Sequence, residues 1–298
     1  MIKKIIFAFF TFCAFLSIEA TSTPSIIYIY TGPGVSKTSL AQTENTMNVF
    51  LNSNYLIKHI LPEQIIHDDW EKQTALLIIP GGADIPYMHA LNGEGNQKIK
   101  AYVKNGGVFL GICAGGYYGG NFVDFAKDSD LEVLGERELS FFPGIVKGPV
   151  LGRYDYKSES GAKAAKVIWK NSLQFQKNSH FTVYYNGGGA FIDADKKNNT
   201  TILAYYDTEG EEAAIIECQV GSGKAILSGV HFEYDPNLMD IGDKYLKQII
   251  PTLKSENSQR IQLIHYLLER LNLKCNHIFQ VSALSSIQHA LLINKPLF

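Results

Sequence analysis

The sequence predicts an α/β protein with a mainly parallel sheet flanked by helices, and with extra β-hairpin elements in the middle of the chain. Three observations support this fold class. Short apolar runs near the N-terminal end alternate with a helical segment, each run ends at a turn or a small residue, and a later region rich in Gly, Pro and Tyr holds shorter β-like runs. Strands that alternate with helices are typical of βαβ units, whose sheets are parallel.

The first three predicted strands are β-branched or aromatic runs that end at small residues: 25–30 (SIIYIY), 75–79 (ALLII) and 108–112 (VFLGI). Such composition between turn signals indicates buried strands. Between the second and third strands, residues 97–104 carry apolar side chains at helical spacing, and the glycines at 106 and 107 end that helix.

The middle and end of the chain predict further elements. Short β-like runs lie within residues 131–191, among them 181–185. Further predicted strands cover 202–206, 213–218 and 224–230, with a hairpin turn at 221–223, and one apolar face predicts a helix over 258–271.

Residues 1–20 have the pattern of a secretory signal peptide. Lys3 and Lys4 precede an apolar run at 5–18, and Ala20 supplies a small residue before a cleavage point. The run is shorter than the about 20 apolar residues of a spanning helix. We therefore expect an exported protein, periplasmic or secreted, with a domain over 21–272 and a C-terminal tail over 273–298. The alternative is that the leader remains as an N-terminal anchor.

Composition narrows the range of partners. The chain carries 27 basic and 29 acidic residues, and removal of Lys3, Lys4 and Glu19 with the leader leaves 25 against 28, a net charge of −3. Proteins that bind nucleic acid through its phosphates usually carry a basic surplus, so we expect no nucleic-acid partner. After removal of the leader we also expect no membrane association.

The cysteines are too few for a disulfide scaffold, since the sequence contains four, of which Cys13 lies in the leader. Cys218 and Cys275 are either buried thiols or a pair. The eight histidines show no metal-ligand spacing, so we predict no metal and no other cofactor.

Cys113 is the first candidate for chemistry. It follows a predicted buried strand directly and lies in the small-residue segment GICAGG at 111–116. A nucleophile on a tight turn between a strand and a helix has this pattern, and backbone N–H groups there stabilise a thiolate or an oxyanion. The alternative is an ordinary buried thiol, the common fate of a free cysteine.

His231 and Glu233 stand two positions apart at the end of the strand predicted over 224–230. On a strand, such side chains share a face, so Glu233 would orient an imidazole that activates the thiol. The alternative is a surface histidine. Ligands of parallel sheets bind beyond the carboxyl ends of the strands. One predicted strand ends at Cys113, one just before His231 and one at the PGGAD segment at 80–84, so these three segments are expected at the same edge of the sheet.

The chain resembles the class I glutamine amidotransferase-like superfamily, and within it the N-terminal domain of eukaryotic biotin–protein ligases. The likeness covers about residues 25–272 and rests on five segments in order: YIYTGPG at 28–34, IPGGAD at 79–84, ALNGEGN at 90–96, CAGGY at 113–117 and YNGGG at 185–189. The resemblance implies a flavodoxin-like arrangement of strands and helices and a Cys–His–Glu triad.

By that resemblance Cys113 would be the nucleophile, His231 the base and Glu233 its orienter, with Gly82 and Ala114 supplying N–H groups to an oxyanion. The rest of the predicted oxyanion and substrate-binding surface is Gly81, Gly115, Tyr117, Asn186 and Gly187.

Two departures from the family pattern shape the functional hypothesis. Tyr117 stands four residues after Cys113, where amidotransferases that use glutamine usually carry Gln, and the sequence shows no Gly/Arg-rich biotinyl-adenylate loop. We therefore expect an exported, stand-alone thiol hydrolase acting on the carbonyl of a small amide or a peptide, and not a biotin ligase. The alternative is a catalytically silent module of the same fold that binds a small molecule or a protein.

Overall fold

The candidate site lies at one edge of a group of five parallel strands. The computed structural model describes residues 25–169 and 179–276. The leader predicted over residues 1–20 and residues 277–298 of the predicted tail lie outside the described residues. The alternative of an N-terminal anchor concerns the same leader and also falls outside them.

The described residues form thirteen strands and seven α-helices. The strands are β1 (Ile26–Tyr30), β2 (Leu56–Ile60), β3 (Thr74–Ile79), β4 (Val108–Ile112), β5 (Gly120–Phe125), β6 (Val133–Glu136), β7 (Phe142–Gly148), β8 (Lys163–Trp169), β9 (Ser179–Tyr185), β10 (Ala190–Phe191), β11 (Thr200–Tyr206), β12 (Ala213–Val220) and β13 (Gly223–Ser228). The helices are α1 (Lys37–Phe50), α2 (Pro62–His67), α3 (Asp84–Leu91), α4 (Glu94–Lys104), α5 (Ala114–Tyr118), α6 (Leu246–Ser255) and α7 (Asn257–Arg270).

All the described strands belong to one mixed sheet, which confirms the predicted α/β class. The path runs β2-β1-β3-β4-β13-β12-β10-β7-β5-β6, and β11, β8 and β9 branch from β12. The five strands from β2 to β13 are mutually parallel. Beyond β13 the pairings are antiparallel, except that β5 and β7 run parallel. The region predicted to hold β-hairpins forms most of this second half.

Several predicted elements match the structure closely. The strand predicted at 108–112 has those bounds, the helix predicted over 97–104 starts three residues earlier, and β12 and β13 form the predicted hairpin. The strand predicted over 224–230 ends two residues early, at Ser228. There the Ser228 hydroxyl accepts the Val230 N–H at 3.2 Å and donates to the Val230 carbonyl at 2.7 Å, so the chain turns instead of continuing the strand.

The parallel strands are buried on both faces. Leu76 belongs to the same buried cluster as Leu267 of α7, whereas the next residue, Leu77, belongs to a second cluster with Leu91 of α3 and Val103 of α4. Neighbouring residues of a strand point to opposite faces, so helices cover both sides of the sheet. This two-sided burial explains why these strands are continuous apolar runs.

The start of the predicted C-terminal tail is part of the fold. Leu273 and Cys275 are buried, Cys275 forms an isolated β-bridge with Leu51, and the Asn276 N–H donates to the Phe50 carbonyl at 2.8 Å. Residues 273–276 therefore pack beside the C-terminal end of α1. In the ranges that the structure describes, every helix is too short or too polar to cross a membrane.

Candidate active site

Cys113 sits on a sharp turn between β4 and α5. Its backbone has φ 51° and ψ −105°, a left-handed conformation that is unusual for a residue with a side chain. Small neighbours make the turn possible: a Cβ added at Gly115 would lie 2.0 Å from the Ile79 carbonyl oxygen, and one at Gly116 would lie 2.6 Å from that of Ser228. Such strained positions concentrate at functional sites, with a cost of about 1–3 kcal/mol each.

His231 and Glu233 lie just beyond β13, beside that turn. His231 Nδ1 is 2.7 Å from Glu233 Oε1, and both side chains are buried. The contact is the predicted one, but the local structure is a turn and not a strand. His231 N–H donates to the Tyr184 carbonyl at 2.8 Å, which fixes the histidine backbone against β9.

The imidazole of His231 lies between the Glu233 carboxylate and the turn that carries the thiol. A Cβ built on Gly81 would meet both the His231 ring, at 2.6 Å, and Cys113 Cβ, at 3.4 Å, so the ring and the cysteine are neighbours. Because Glu233 occupies Nδ1, Nε2 is the nitrogen left to face the thiol. Burial lowers the pKa of His231, but the charges of Glu233 and Cys113 and the hydrogen bond to Glu233 raise it by more, so the net shift is upward. The histidine therefore holds a proton readily between the two groups.

Residues of α1 support Glu233 from behind. Ser39 Oγ donates to Glu233 Oε1 at 3.4 Å and accepts the Gly81 N–H at 2.9 Å, and Thr46 Oγ1 donates to the Glu233 carbonyl at 2.7 Å. The Gly81 N–H, predicted to line the oxyanion or substrate site, is thus engaged by Ser39. Sequence reasoning missed both hydroxyl groups, because it did not predict α1.

Gly82 and Ala114, whose N–H groups were predicted to bind an oxyanion, line one cavity together with Cys113. Gly82 has φ +153°, and a Cβ there would lie 2.0 Å from the Gly34 carbonyl oxygen, so only glycine fits. Two backbone bonds flank Gly82: the Ser36 N–H donates to the Gly81 carbonyl, and the Ala83 N–H donates to the Gly34 carbonyl. Neither of them uses the N–H of Gly82 itself. Ala114 is the first residue of α5, where an N–H has no acceptor within the helix.

A cavity of about 520 Å³ opens next to these groups. Its wall includes the predicted residues Cys113, His231, Gly81, Gly82 and Asn186. The other lining residues are Gly34, Ser36, Ser39, Ala83, Tyr154, Asp155, Tyr156, Lys157, Ser158, Glu159, Tyr184, Tyr234 and Asp243. Most of them come from the loop between β7 and β8 and from the segment after β13, and Tyr184 lies in β9.

A second, smaller cavity of about 30 Å³ is lined by three more of the predicted residues, Ala114, Tyr117 and Gly187. Tyr117 is buried, its hydroxyl donates to the Gly187 carbonyl at 3.1 Å, and its ring meets Phe125 edge-on at 5.6 Å. The Tyr117 side chain thus packs between the segment of Gly187 and the ring of Phe125. Gly115 lines neither cavity and packs against β3 instead.

Asn186 borders both cavities and touches the thiol through its backbone. Cys113 Sγ lies 3.7 Å from the Asn186 carbonyl oxygen, and Asn186 Nδ2 donates to Glu159 Oε2 at 2.9 Å. Asn186 thus contacts both the thiol and Glu159. Glu159 itself carries no sequence signal of its own, since it lies in the loop between β7 and β8, at the start of a single 3-10 turn (Glu159–Gly161).

The other cysteines stay apart from the site. Cys113, Cys218 and Cys275 are all free and buried, so the alternative of a Cys218–Cys275 pair does not hold. Burial raises the pKa of Cys218 to about 12 and that of Cys275 to about 11, which keeps both thiols protonated and unreactive. Among the described residues, no group of three or more His, Cys, Asp and Glu side chains has the geometry of a metal site.

Residues 25–294 match the family described as "Biotin-protein ligase, N terminal". The chain belongs to this family. The family resemblance drawn from the five sequence segments is therefore confirmed, and it extends beyond the tail boundary predicted at 272.

Two relatives match most of this chain over different shares of their own lengths. The biotin–protein ligase of Schizosaccharomyces pombe is 37% identical over 251 residues, which is 83% of this chain and 38% of the ligase. An uncharacterized protein of Chlamydia muridarum is 38% identical over 183 residues, 60% of this chain and 69% of that protein. The chain thus spans well under half of the yeast ligase.

Solved structures with a similar backbone include PurLQS from Thermotoga maritima and a putative ThuA-like protein from Bacteroides uniformis. The first has a TM-score of 0.48 at 15% identity and covers 78% of this chain and 99% of that one. The second has a TM-score of 0.45 at 10% identity and covers 83% and 96%. The role of each site residue is therefore argued from its geometry in this chain.

Proposed function

We propose that this protein is a thiol hydrolase that cleaves an amide or peptide-type carbonyl with Cys113 as nucleophile. The observation that carries the proposal is the bonded pair of Glu233 and His231 beside Cys113 at the wall of a cavity. A nucleophile beside a base that an orienting carboxylate holds in place is the arrangement that activates a thiol.

In the proposed reaction, His231 takes the Cys113 proton and the sulfur attacks the carbonyl carbon. The carbonyl oxygen becomes an oxyanion, to which the N–H groups of Gly82 and Ala114 donate. The C–N bond then breaks, the leaving amine takes the proton from His231, and a thioester to Cys113 remains. Water deprotonated by His231 attacks that thioester, which releases the acid and restores the thiol.

Substitution of Cys113 tests the proposal. Cys113→Ala should abolish both labelling by iodoacetamide at this position and hydrolysis of a panel of aminoacyl and short peptidyl amides of a fluorogenic amine. Cys275→Ala is the matched control, because that thiol is free and buried but distant from the cavity. Hydrolysis that survives in Cys113→Ala would contradict the proposal.

Tyr117 favours a second candidate, a binding module without turnover. Its hydroxyl is engaged by Gly187, and its ring fills the space beside the nucleophile turn. Under this alternative Cys113 would react with iodoacetamide no faster than a free thiol of ordinary pKa, about 8.5, and no amide of the panel would be hydrolysed.

We further propose that the protein is exported, on the basis of the leader pattern at residues 1–20. The expected result is a mature protein outside the cytoplasm whose N-terminal residue lies near Thr21. Fractionation of the producing cells, with N-terminal sequencing of the purified protein, measures both. A cytoplasmic protein that retains residues 1–20 would refute the proposal.

A further inference from the structure

The cavity beside Cys113 has an aromatic wall. The rings of Tyr154 and Tyr156 meet edge-on with centroids 4.8 Å apart, and those of Tyr184 and Tyr234 stack at 4.3 Å with an angle of 22°. Burial raises the pKa of Tyr154 and Tyr184 above the ordinary phenol value, so these side chains stay neutral. The faces of such rings carry negative electrostatic potential and attract cations.

The charged groups on the same wall are mainly acidic. Outside the triad, the lining residues include the carboxylates of Asp155, Glu159 and Asp243 and the ammonium group of Lys157. The cavity therefore has a surplus of negative charge, although the chain as a whole is nearly neutral. A cleft of one sign raises the local concentration of a ligand with the opposite charge.

Among the three carboxylates, Glu159 is the one available to a ligand. Asp155 accepts the Lys157 N–H at 2.9 Å, and Asp243 accepts two N–H groups at the start of α6. Glu159 Oε2 accepts from the Tyr184 hydroxyl and from Asn186 Nδ2, which hold the carboxylate in place. No hydrogen bond from the described part of the chain reaches Glu159 Oε1.

We propose that the substrate is a cationic amide, with an amine or quaternary ammonium group that lies among the tyrosine rings and faces Glu159 while its carbonyl meets Cys113. Asn186 links the two ends of this site, because its side chain holds Glu159 and its carbonyl oxygen lies 3.7 Å from Cys113 Sγ. The inference rests on the proposed role of Cys113 as nucleophile.

Three alkyl methanethiosulfonates test the charge preference at Cys113 itself. They share one reactive group and differ in an ethyl substituent that ends in trimethylammonium, hydroxyl or sulfonate. Each reacts with a thiol to give a mixed disulfide and methanesulfinate. The rate at Cys113, followed by mass spectrometry of its peptide, is divided by the rate of the same reagent with free 2-mercaptoethanol.

We expect the normalised rate with trimethylammonium to exceed that with hydroxyl by at least about fivefold, and the sulfonate to be the slowest. Glu159→Gln should reduce the preference by about threefold, and Tyr156→Leu by about twofold, because each removes one attraction. Glu209→Gln is the matched control. It removes the same charge from an exposed residue that does not line the cavity, and should leave the preference unchanged.

Equal normalised rates for the three reagents, or an unchanged preference in Glu159→Gln, would overturn the inference. The proposed function fails in a different way, namely if the neutral hydroxyl reagent reacts with Cys113 no faster than with 2-mercaptoethanol. Since Tyr156 is half exposed, its variant keeps the test available even if Glu159→Gln does not fold.

Discussion

At the scale of single residues, the central feature is a buried histidine between two acidic groups. His231 carries a raised pKa although burial alone would lower it, because Glu233 and Cys113 both favour the imidazolium. Buried charge is costly unless it is paired, and here Glu233 Oε1 lies 2.7 Å from Nδ1 of the ring. The pair also holds a proton where the proposed amide cleavage needs one.

Glu233→Gln should lower the pKa of His231, measured by NMR titration of the imidazole ring. A raised folded-state pKa stabilises the fold fully below the unfolded value of about 6.5, and that stability is lost as the pH rises through the folded value. The stability difference between wild type and Glu233→Gln should therefore be largest at acidic pH and shrink on the alkaline side.

The matched control for this titration is Glu44→Gln, which breaks an exposed pair with His59 at 3.3 Å. It should leave the His231 titration unchanged, since screened surface pairs contribute little. A stability difference in Glu233→Gln that stays constant with pH would show that the carboxylate acts only through packing.

At the scale of elements, two helices hold the segment that follows β13. From α1, Thr46 donates to the Glu233 carbonyl, and from α7, Arg260 Nη1 donates to the Phe232 carbonyl at 3.1 Å. Gln42 of α1 also accepts the Asp235 N–H at 2.9 Å. Apart from the bridge of His231 to Tyr184 the segment has no strand ladder, so these side chains, together with that bridge, position His231 and Glu233.

Ser39→Ala tests α1 as a positioning element. The change removes the acceptor of the Gly81 N–H and a donor to Glu233, and we expect about a tenfold slower alkylation of Cys113 by iodoacetamide. Thr38→Ala is the matched control, since Thr38 is an exposed hydroxyl on the same helix. A purely structural role would lower the urea-unfolding free energy of Ser39→Ala while leaving the alkylation rate unchanged.

At the scale of the whole molecule, the site combines local and distant contacts, and only the local part could be predicted from the sequence. The turn at Cys113 follows from an apolar strand and small neighbours that are adjacent in the chain. Ser39 bonds a carboxylate 194 positions away, and no local pattern encodes that contact. The helix α1 itself was missed because buried positions such as Thr43 and Thr46 are polar, which hides its apolar period.

The C-terminal boundary shows the same limit, because weak periodicity predicted a tail from residue 273 whereas residues 273–276 pack on the fold. A chain of residues 25–276 should unfold at a higher urea concentration than one of residues 25–272. We expect a difference of about 2–4 kcal/mol, since the shorter chain loses two buried side chains and the hydrogen bonds to Phe50 and Asn52. The full chain, measured in parallel, serves as the reference. Equal unfolding midpoints for the two truncated chains would mean that residues 273–276 add no stability and that the domain ends where its sequence pattern fades.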